Sequence, residues 1–335
     1  MQNKEIVVSG IRSTGFLHLG NYFGAMRNYV RMQEDYNCFF FVADYHSLTT
    51  HPDPKDLRSN VYRVIAENIA CGLDYNKVAL YAQSDVPEVT ELYLLLNMLT
   101  YKGELEKVPT FKEKVRQHPD NVNAGLLTYP VLMAADILLH RAVKVPVGKD
   151  QEQHLEMARN FAQRFNTRYN VELFPEPYPF NFGEASVKIM SLDGNGKMSK
   201  SENLNATIFL NDEDELIRKK IMKAKTDSGP TEANSEMPDY IENLFTLMQL
   251  VSTPDTFEHF QSAFNNCNIR YGDFKKQLAE DMVSFVNPIR TQAQDLCNDH
   301  ALMQKIMKMG AEKARASAVE TIKLTREAIG IRYHD

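Results

Sequence analysis

Tryptophan is absent from the 335 residues, and cysteine is scarce. The four thiols, Cys38, Cys71, Cys267 and Cys297, are scattered and form no C-x-x-C pair. Neither a zinc knuckle nor a redox motif fits that spacing, and no structural zinc or iron–sulfur cluster is expected. Lone thiols of this kind suit a reducing cytoplasm, where they serve as small core residues. Long apolar runs are missing too. The longest, LLTYPVLMAADILL (126–139), contains Pro130 and Asp136 and is too short and too polar to span a bilayer. The opening MQNKEIVVSG has too short an apolar run for a signal peptide, so a cytoplasmic protein is expected. Charge of one sign is not in large excess: the net charge is −6 and the pI about 5.9. That opposes a surface coated in basic charge for non-specific nucleic-acid binding, and leaves room for local basic patches. There is no internal repeat, no low-complexity tract, no G-x-G-x-x-G and no G-x-x-x-x-G-K-[ST] phosphate loop.

What is present is an ordinary globular composition, 43% apolar, in a chain long enough for about two domains. The first half alternates. Strand-like runs at Glu5–Ser9, Cys38–Ala43, Val78–Ala82 and Val143–Val147 are separated by helical patterns. Those patterns cover Asn21–Asp35, Pro54–Cys71, Glu88–Leu99, Pro130–His140 and Gln151–Phe165. Such spacing predicts βαβ units and a Rossmann-like parallel sheet, an α/β fold, with ligands at the carboxyl ends of the strands. FPEPYPF (174–180) suits an extended connector. Beyond it the chain reads as helical. Asp212 and Glu215 suggest a capping box for Asp212–Lys225, Thr253-Pro254 opens another helix, Gly272-Asp273 precedes a long one, and Ala301–Ile329 keeps a helical apolar rhythm. The expected division is a catalytic domain at 1–190, a loop at 191–206, a smaller all-helical domain at 207–295, and a C-terminal helix at 296–335 packing back on the core.

Two stretches fit neither periodicity. SGIRSTGFLHLGNYFGA (9–25) follows the first strand and opens the first long helix. Backbone N–H groups and the positive helix end favour phosphate there, and Gly15 and Gly20 allow close approach. His18 and Asn21 add two short hydrogen-bonding side chains about one turn apart. For T-G-x-x-H alone, a tight turn with an incidental histidine is an equally good reading. GNGKMSKSENLNA (194–206) places Lys197 and Lys200 on what reads as a mobile loop. It lacks the central glycine and final glutamate of a calcium loop. Surface lysines on a solvated loop are the bland reading; lysines that close over phosphate charge developing in a transition state are the functional one.

Together these stretches are specific. T-G-F-L-H-L-G-N resembles the "HIGH" signature of class I aminoacyl-tRNA synthetases, and K-M-S-K-S matches their second signature letter for letter. ADYHSLT (43–49), YKGELEKVPTFKEK (101–114), GLLTYPVLMAADILL (125–139) and VPVGKDQEQHLEMARNFAQRFN (145–166) are similar to the bacterial-type tryptophanyl-tRNA synthetase family. On the residues alone, Asp136 in an apolar helix, with Met133 and His140 one turn away, is either a structural carboxylate or a ligand group; in both cases it must be paired. The resemblance implies that Asp136 accepts the indole N–H of L-tryptophan. A site built around one N–H rejects analogues lacking it by about 10⁴–10⁵-fold.

By the same resemblance Tyr129, Gln151 and His46 lie near the amino-acid pocket, and Met133, Val145 and Val147 line it. Arg12, Ser13, Thr14, Gly20, Asn21, Gly148, Lys149, Asp150, Ile189, Lys197, Met198, Ser199, Lys200 and Ser201 surround ATP. His18, Asn21, Lys114, Lys197 and Lys200 serve the chemistry. Mg²⁺ is expected on phosphate oxygens and water rather than in a carboxylate cage. The implied reaction is attack of the tryptophan carboxylate on the α-phosphorus of ATP, then transfer from the adenylate to tRNA(Trp). The family is homodimeric. RKKIMKAK (218–225) and the Lys/Arg residues of 305–326 offer phosphate contacts to tRNA, although surface helices are commonly charged. The chain departs from the family at Ser13, usually proline, at Gly196, commonly lysine, and at Lys149, often acidic; loop stiffness and ATP affinity are what these put in question. The rivals are tyrosyl-tRNA synthetase, a small-molecule nucleotidylyltransferase, and a synthetase-like RNA-binding paralogue.

Overall fold

The computed structural model describes residues 4–13, 15–117, 119–148, 151–180, 187–199 and 203–334, Gln117 by its backbone only. Five parallel strands form one sheet in the order β3-β2-β1-β4-β5: β1 Ile6–Arg12, β2 Asn37–Ala43, β3 Ala79–Ala82, β4 Lys144–Val145 and β5 Tyr178–Pro179. The β1–β2 ladder runs from Ile6 opposite Asn37 to Arg12 opposite Ala43. The strand order reverses beside β1, and the crevice between the ends of β1 and β4 is where ligands of such sheets sit.

Strand alternation divides the core. Val7, Cys38, Phe40 and Leu80 are buried on one face with helix residues Met32, Val64 and Ile65; Val8, Phe39, Phe41 and Tyr81 are buried on the other with Leu92, Ala134 and Phe161. The predicted strand at Val143–Val147 shortens to Lys144–Val145. The proline-rich connector contributes β5, which pairs with β4 through Lys144–Tyr178 and Val145–Pro179. Proline is tolerated there because β5 is an edge strand.

Helix starts follow local chemistry. Asp53 accepts from Lys55 N (2.8 Å) with Pro54 as the first helical residue, and Thr253 accepts from Thr256 N (3.3 Å) ahead of Pro254. The helix expected at Pro130–His140 begins earlier, at Ala124, because Asn123 caps it through Leu126 N (2.9 Å), and Pro130 is buried in its interior. The first long helix is interrupted by a π stretch, Tyr22–Met26. The capping box at Asp212 and Glu215 is not formed. That helix spans Asp214–Met222 behind Glu213, with no side-chain cap bond. Asp212 instead accepts from Phe209 N (2.9 Å) and buried Lys220 (2.6 Å).

Helices Asp239–Val251, Pro254–Asn265 and Tyr271–Asn298 close over Phe245, Phe264 and Phe274. The last of them reaches the α/β part through Phe285, stacked on Phe23 at 5.5 Å. Helix His300–Ile329 then returns to β3. At Gly310 it lies so close that an added Cβ would overlap the backbone of Leu80. The exposed edge of β3 is thereby covered, and Arg315–Glu88 and Arg326–Glu91 ion pairs strap the helix down. Gly310→Ala is expected to destabilise the protein by about 1–3 kcal/mol or more, since backbone rather than a pliable side chain must yield. A thermal melt checks it; an unchanged Tm would mean that the helix shifts freely. No helix among the described residues is long and apolar enough to cross a membrane.

Candidate active site

The signature turn leaves β1 and is held from three directions. Leu17 N donates to Glu67 Oε2 (3.0 Å), Leu19 N to Ile208 O (3.1 Å), and Leu210 N to Leu17 O (2.8 Å). Ser13 is buried, with its hydroxyl 2.6 Å from Ser47 Oγ. Ser47 already donates to Ala43 O (3.0 Å), so Ser13 is the donor between them. Ser13 thus ties the turn to the exit of β2. His18 is buried at the helix start, its N–H on Asn21 Oδ1 (3.1 Å), and Asn21 N returns to His18 O (2.8 Å). Gly20 leaves just enough room for the His18 ring: a Cβ there would stand 3.0 Å from the imidazole.

The lysine-bearing loop is anchored, not loose. Gly194 and Gly196 take positive φ (76° and 67°), so the chain turns back on itself. Met198 N bonds Ile189 O (3.0 Å), and Ser191 N bonds Gly196 O (3.1 Å). Asn243, from the helical part, brackets Met190 with Oδ1 on its N–H (2.9 Å) and Nδ2 on its carbonyl (3.2 Å). Lys225 N reaches Leu192 O (2.9 Å), and Ser199 O accepts from Thr207 Oγ1 (2.9 Å). Met198 itself is 1% exposed, its Cβ next to the space above Gly20. Lys197 pairs through its backbone with Met190 and leaves its side chain exposed. Across 187–199 the turn formers make a tight reversal whose base is held by side chains remote in sequence.

At the far side of the crevice, Asp136 is 5% exposed. Its Oδ2 lies 2.9 Å from His46 Nε2, and its Oδ1 accepts from Gln83 Nε2 at 2.7 Å. Burial pushes the carboxyl above the usual range against the pull of His46 and Gln83, with Asp44 pushing the same way. A cavity of about 10 Å³ adjoins it, lined by Tyr81, Gln83, Val86, Val89, Asp136, Leu139 and His140. Tyr81 OH lies 2.9 Å from His140 Nε2, and burial drives the His140 pKa down to about 3.

Tyr129 is held by Thr110 and by His154 Nε2 (2.5 Å). Lys114 Nζ stands 4.8 Å over the Tyr129 ring. Burial lowers the Lys114 pKa, and the nearby Arg12 lowers it further. Two cations lie close together here, and among the described residues neither forms an ion pair with a carboxylate. Val145 is buried on β4, Met133 and Val147 pack on the same apolar cluster, and Gln151 N bonds Gly148 O (2.9 Å) at the exposed exit of β4. Ile189 is buried in the core, 1% exposed, with its carbonyl taken by Met198. Thr14, Lys149, Asp150, Lys200 and Ser201 lie outside the described residues. Sequence reasoning missed Gln83, Thr110, His154 and Asn243. Gln83 alone carried a signal, as a polar residue directly after a buried strand.

The basic stretches are largely committed within the chain. Lys220 is buried on Asp212 and on Thr207 O (2.8 Å), and Arg218 pairs with Glu280 and Glu215. Lys313 donates to the carbonyls of Tyr75, Asn76 and Val78. Lys219, Lys223, Lys305 and Lys323 are the exposed cations of these stretches for which no partner is seen.

The family model "tRNA synthetases class I (W and Y)" matches residues 1–287. The chain belongs to this family. It is 58% identical over 328 residues to the tryptophan–tRNA ligase of Porphyromonas gingivalis, covering 98% of this chain and 100% of that one. It is 42% identical to the tryptophan–tRNA ligase of Rickettsia conorii over 330 residues, covering 98% and 99%. The fold is similar to that of Campylobacter jejuni tryptophanyl-tRNA synthetase complexed with ADP and tryptophan, with a TM-score of 0.87, 35% identity, and 97% and 99% of the two chains covered. The first signature leaves the carboxyl end of β1, and Met198 of the second is buried next to Gly20 of the first.

Proposed function

We propose that this chain joins L-tryptophan to tRNA(Trp) in two steps: formation of tryptophanyl-adenylate with release of pyrophosphate, then transfer to tRNA with release of AMP. The carrying observation is the burial of Met198 of K-M-S-K-S beside Gly20 and His18 of the first signature, which makes one site of two remote motifs. Asp136, buried on the amino-acid side and furnished with two hydrogen-bonding neighbours, suits an indole N–H. Arg12 and Lys114, two neighbouring cations with no ion-paired carboxylate among the described residues, suit the phosphates.

In this reading the tryptophan carboxylate attacks the α-phosphorus in line. The protein supplies position and charge rather than a nucleophile. His18 and Asn21 hold phosphates at the turn, and Lys197 and Lys200 meet charge as pyrophosphate departs. Mg²⁺ enters with ATP, coordinated by phosphate oxygens and water. The helices of 207–295 serve as the tRNA-binding part, with exposed Lys219 and Lys223 as phosphate contacts, and 296–335 braces the core. The homodimer proposed for the family finds support in Leu94, Met98 and Tyr101, which are 52%, 72% and 66% exposed near one helix end. A cytoplasmic location fits the chemistry.

Because the chain contains no tryptophan, bound ligand is its only indole, and fluorescence excited beyond tyrosine absorption titrates it directly. Saturable binding that phenylalanine and tyrosine do not reverse is expected. Displacement by tyrosine at equal concentration would favour the tyrosyl enzyme instead.

A further inference from the structure

Among the described residues, Asp136 has no lysine or arginine against it. From β2's exit comes the His46 imidazole, from β3's exit the Gln83 amide, and Asp44 adds like charge. From β3 comes Tyr81, and from the turn just past Asp136's own helix comes the buried His140, which is stacked on Phe39 at 4.2 Å. Gln83 is 1% exposed. Its Nε2 donates to Asp136, while its Oε1 has no hydrogen-bond partner among the described residues. An unsatisfied buried acceptor is unfavourable. Turning the amide over would bring Oε1 against the carboxylate, so the donor end of Gln83 is the end that faces Asp136. The adjoining cavity has space for about one water.

We propose that Gln83 is a positioning residue for ring N–H recognition: its amide fixes Asp136 Oδ1 and keeps the carboxylate an acceptor. This rests on the reading of Asp136 as the indole acceptor. A protonated Asp136 would present an O–H where the substrate also presents a donor. The sign is direct. Burial already raises the carboxyl, and the Gln83 hydrogen bond lowers it. Removing that bond raises it further, so the acid-side rise in the tryptophan KM moves to higher pH.

The test uses the full chain carrying Gln83→Met or Gln83→Glu, both near in size. It measures KM and kcat for ATP–pyrophosphate exchange across pH, with tryptophan and with its analogue whose ring N–H is replaced by sulfur. Gln83→Met is expected to lower the tryptophan-over-analogue ratio of kcat/KM by about tenfold or more, the scale of a hydrogen bond to a charged group, mainly through KM. The acid limb should move upward in the order wild type, Met, Glu, because the added carboxylate opposes ionisation of Asp136. In an Asp136→Asn background the Gln83→Met effect should vanish. An unchanged ratio and an unmoved limb in both variants overturn the inference and make Gln83 structural. A wild-type enzyme that does not distinguish the sulfur analogue overturns the Asp136 reading itself, and the role of Gln83 with it.

Discussion

Lys200→Ala is expected to slow adenylate formation by about 10²–10³-fold, the scale for losing one preorganised donor that meets transition-state charge. The loss should fall on kcat, with the KM for ATP moving far less, because charge on the departing pyrophosphate develops after the ground state has formed. Lys200 lies outside the described residues, but the neighbours on either side are tied. Ser199 O is held by Thr207, and Asn203 Nδ2 donates to Asp193 Oδ2 at 2.7 Å. Single-turnover measurement of adenylate checks the step itself. A loss below threefold would show that this lysine is a solvated surface residue.

Asp136→Asn is expected to collapse selection by the ring N–H while leaving the fold intact. Discrimination against phenylalanine should fall toward the 10–200-fold that shape alone supports, roughly. Asparagine keeps the volume, and Gln83 and His46 can both turn to meet an amide. Stability should hold or rise. Burial lifts the Asp136 carboxyl above its unfolded value, so the folded state loses stability as pH rises through that interval, and the deficit persists at neutral pH. Removing the charge removes the deficit. Selectivity measured by exchange, beside a thermal melt at neutral pH, separates the two effects. Reduced Tm with unchanged selectivity would make Asp136 a structural carboxylate.

The sheet was readable where burial on both faces makes strands continuous apolar runs, as in Phe39–Val42. It was not readable at β5, where Tyr178-Pro179 has strand geometry only because β4 lies beside it. The same distinction runs through the site. His18 and Asn21 stand in a recognisable motif, and Asp136 is a lone carboxylate in an apolar helix. On the residues alone each has an equally good structural reading, and only the family resemblance gives them roles. Gln83 and Asn243 acquire roles only when remote segments meet, Gln83 at a strand exit facing Asp136 and Asn243 across the base of the lysine loop. The basic stretch 218–225 misleads for a related reason. Lys220 has an ordinary surface-helix sequence around it, yet the fold places it inside, on Asp212, where breaking the pair would leave a buried charge. At the lysine loop, turn composition reports backbone conformation and says nothing of the contacts that hold its base. Gly194 and Gly196 supply the positive φ, and the anchors come from Asn243 and Lys225.

ATP–pyrophosphate exchange with each of the amino acids in turn tests the account most directly. Exchange supported by tryptophan alone, and abolished together with the signature lysines, is the predicted result. Exchange with tyrosine in its place, or none with any amino acid, would contradict it.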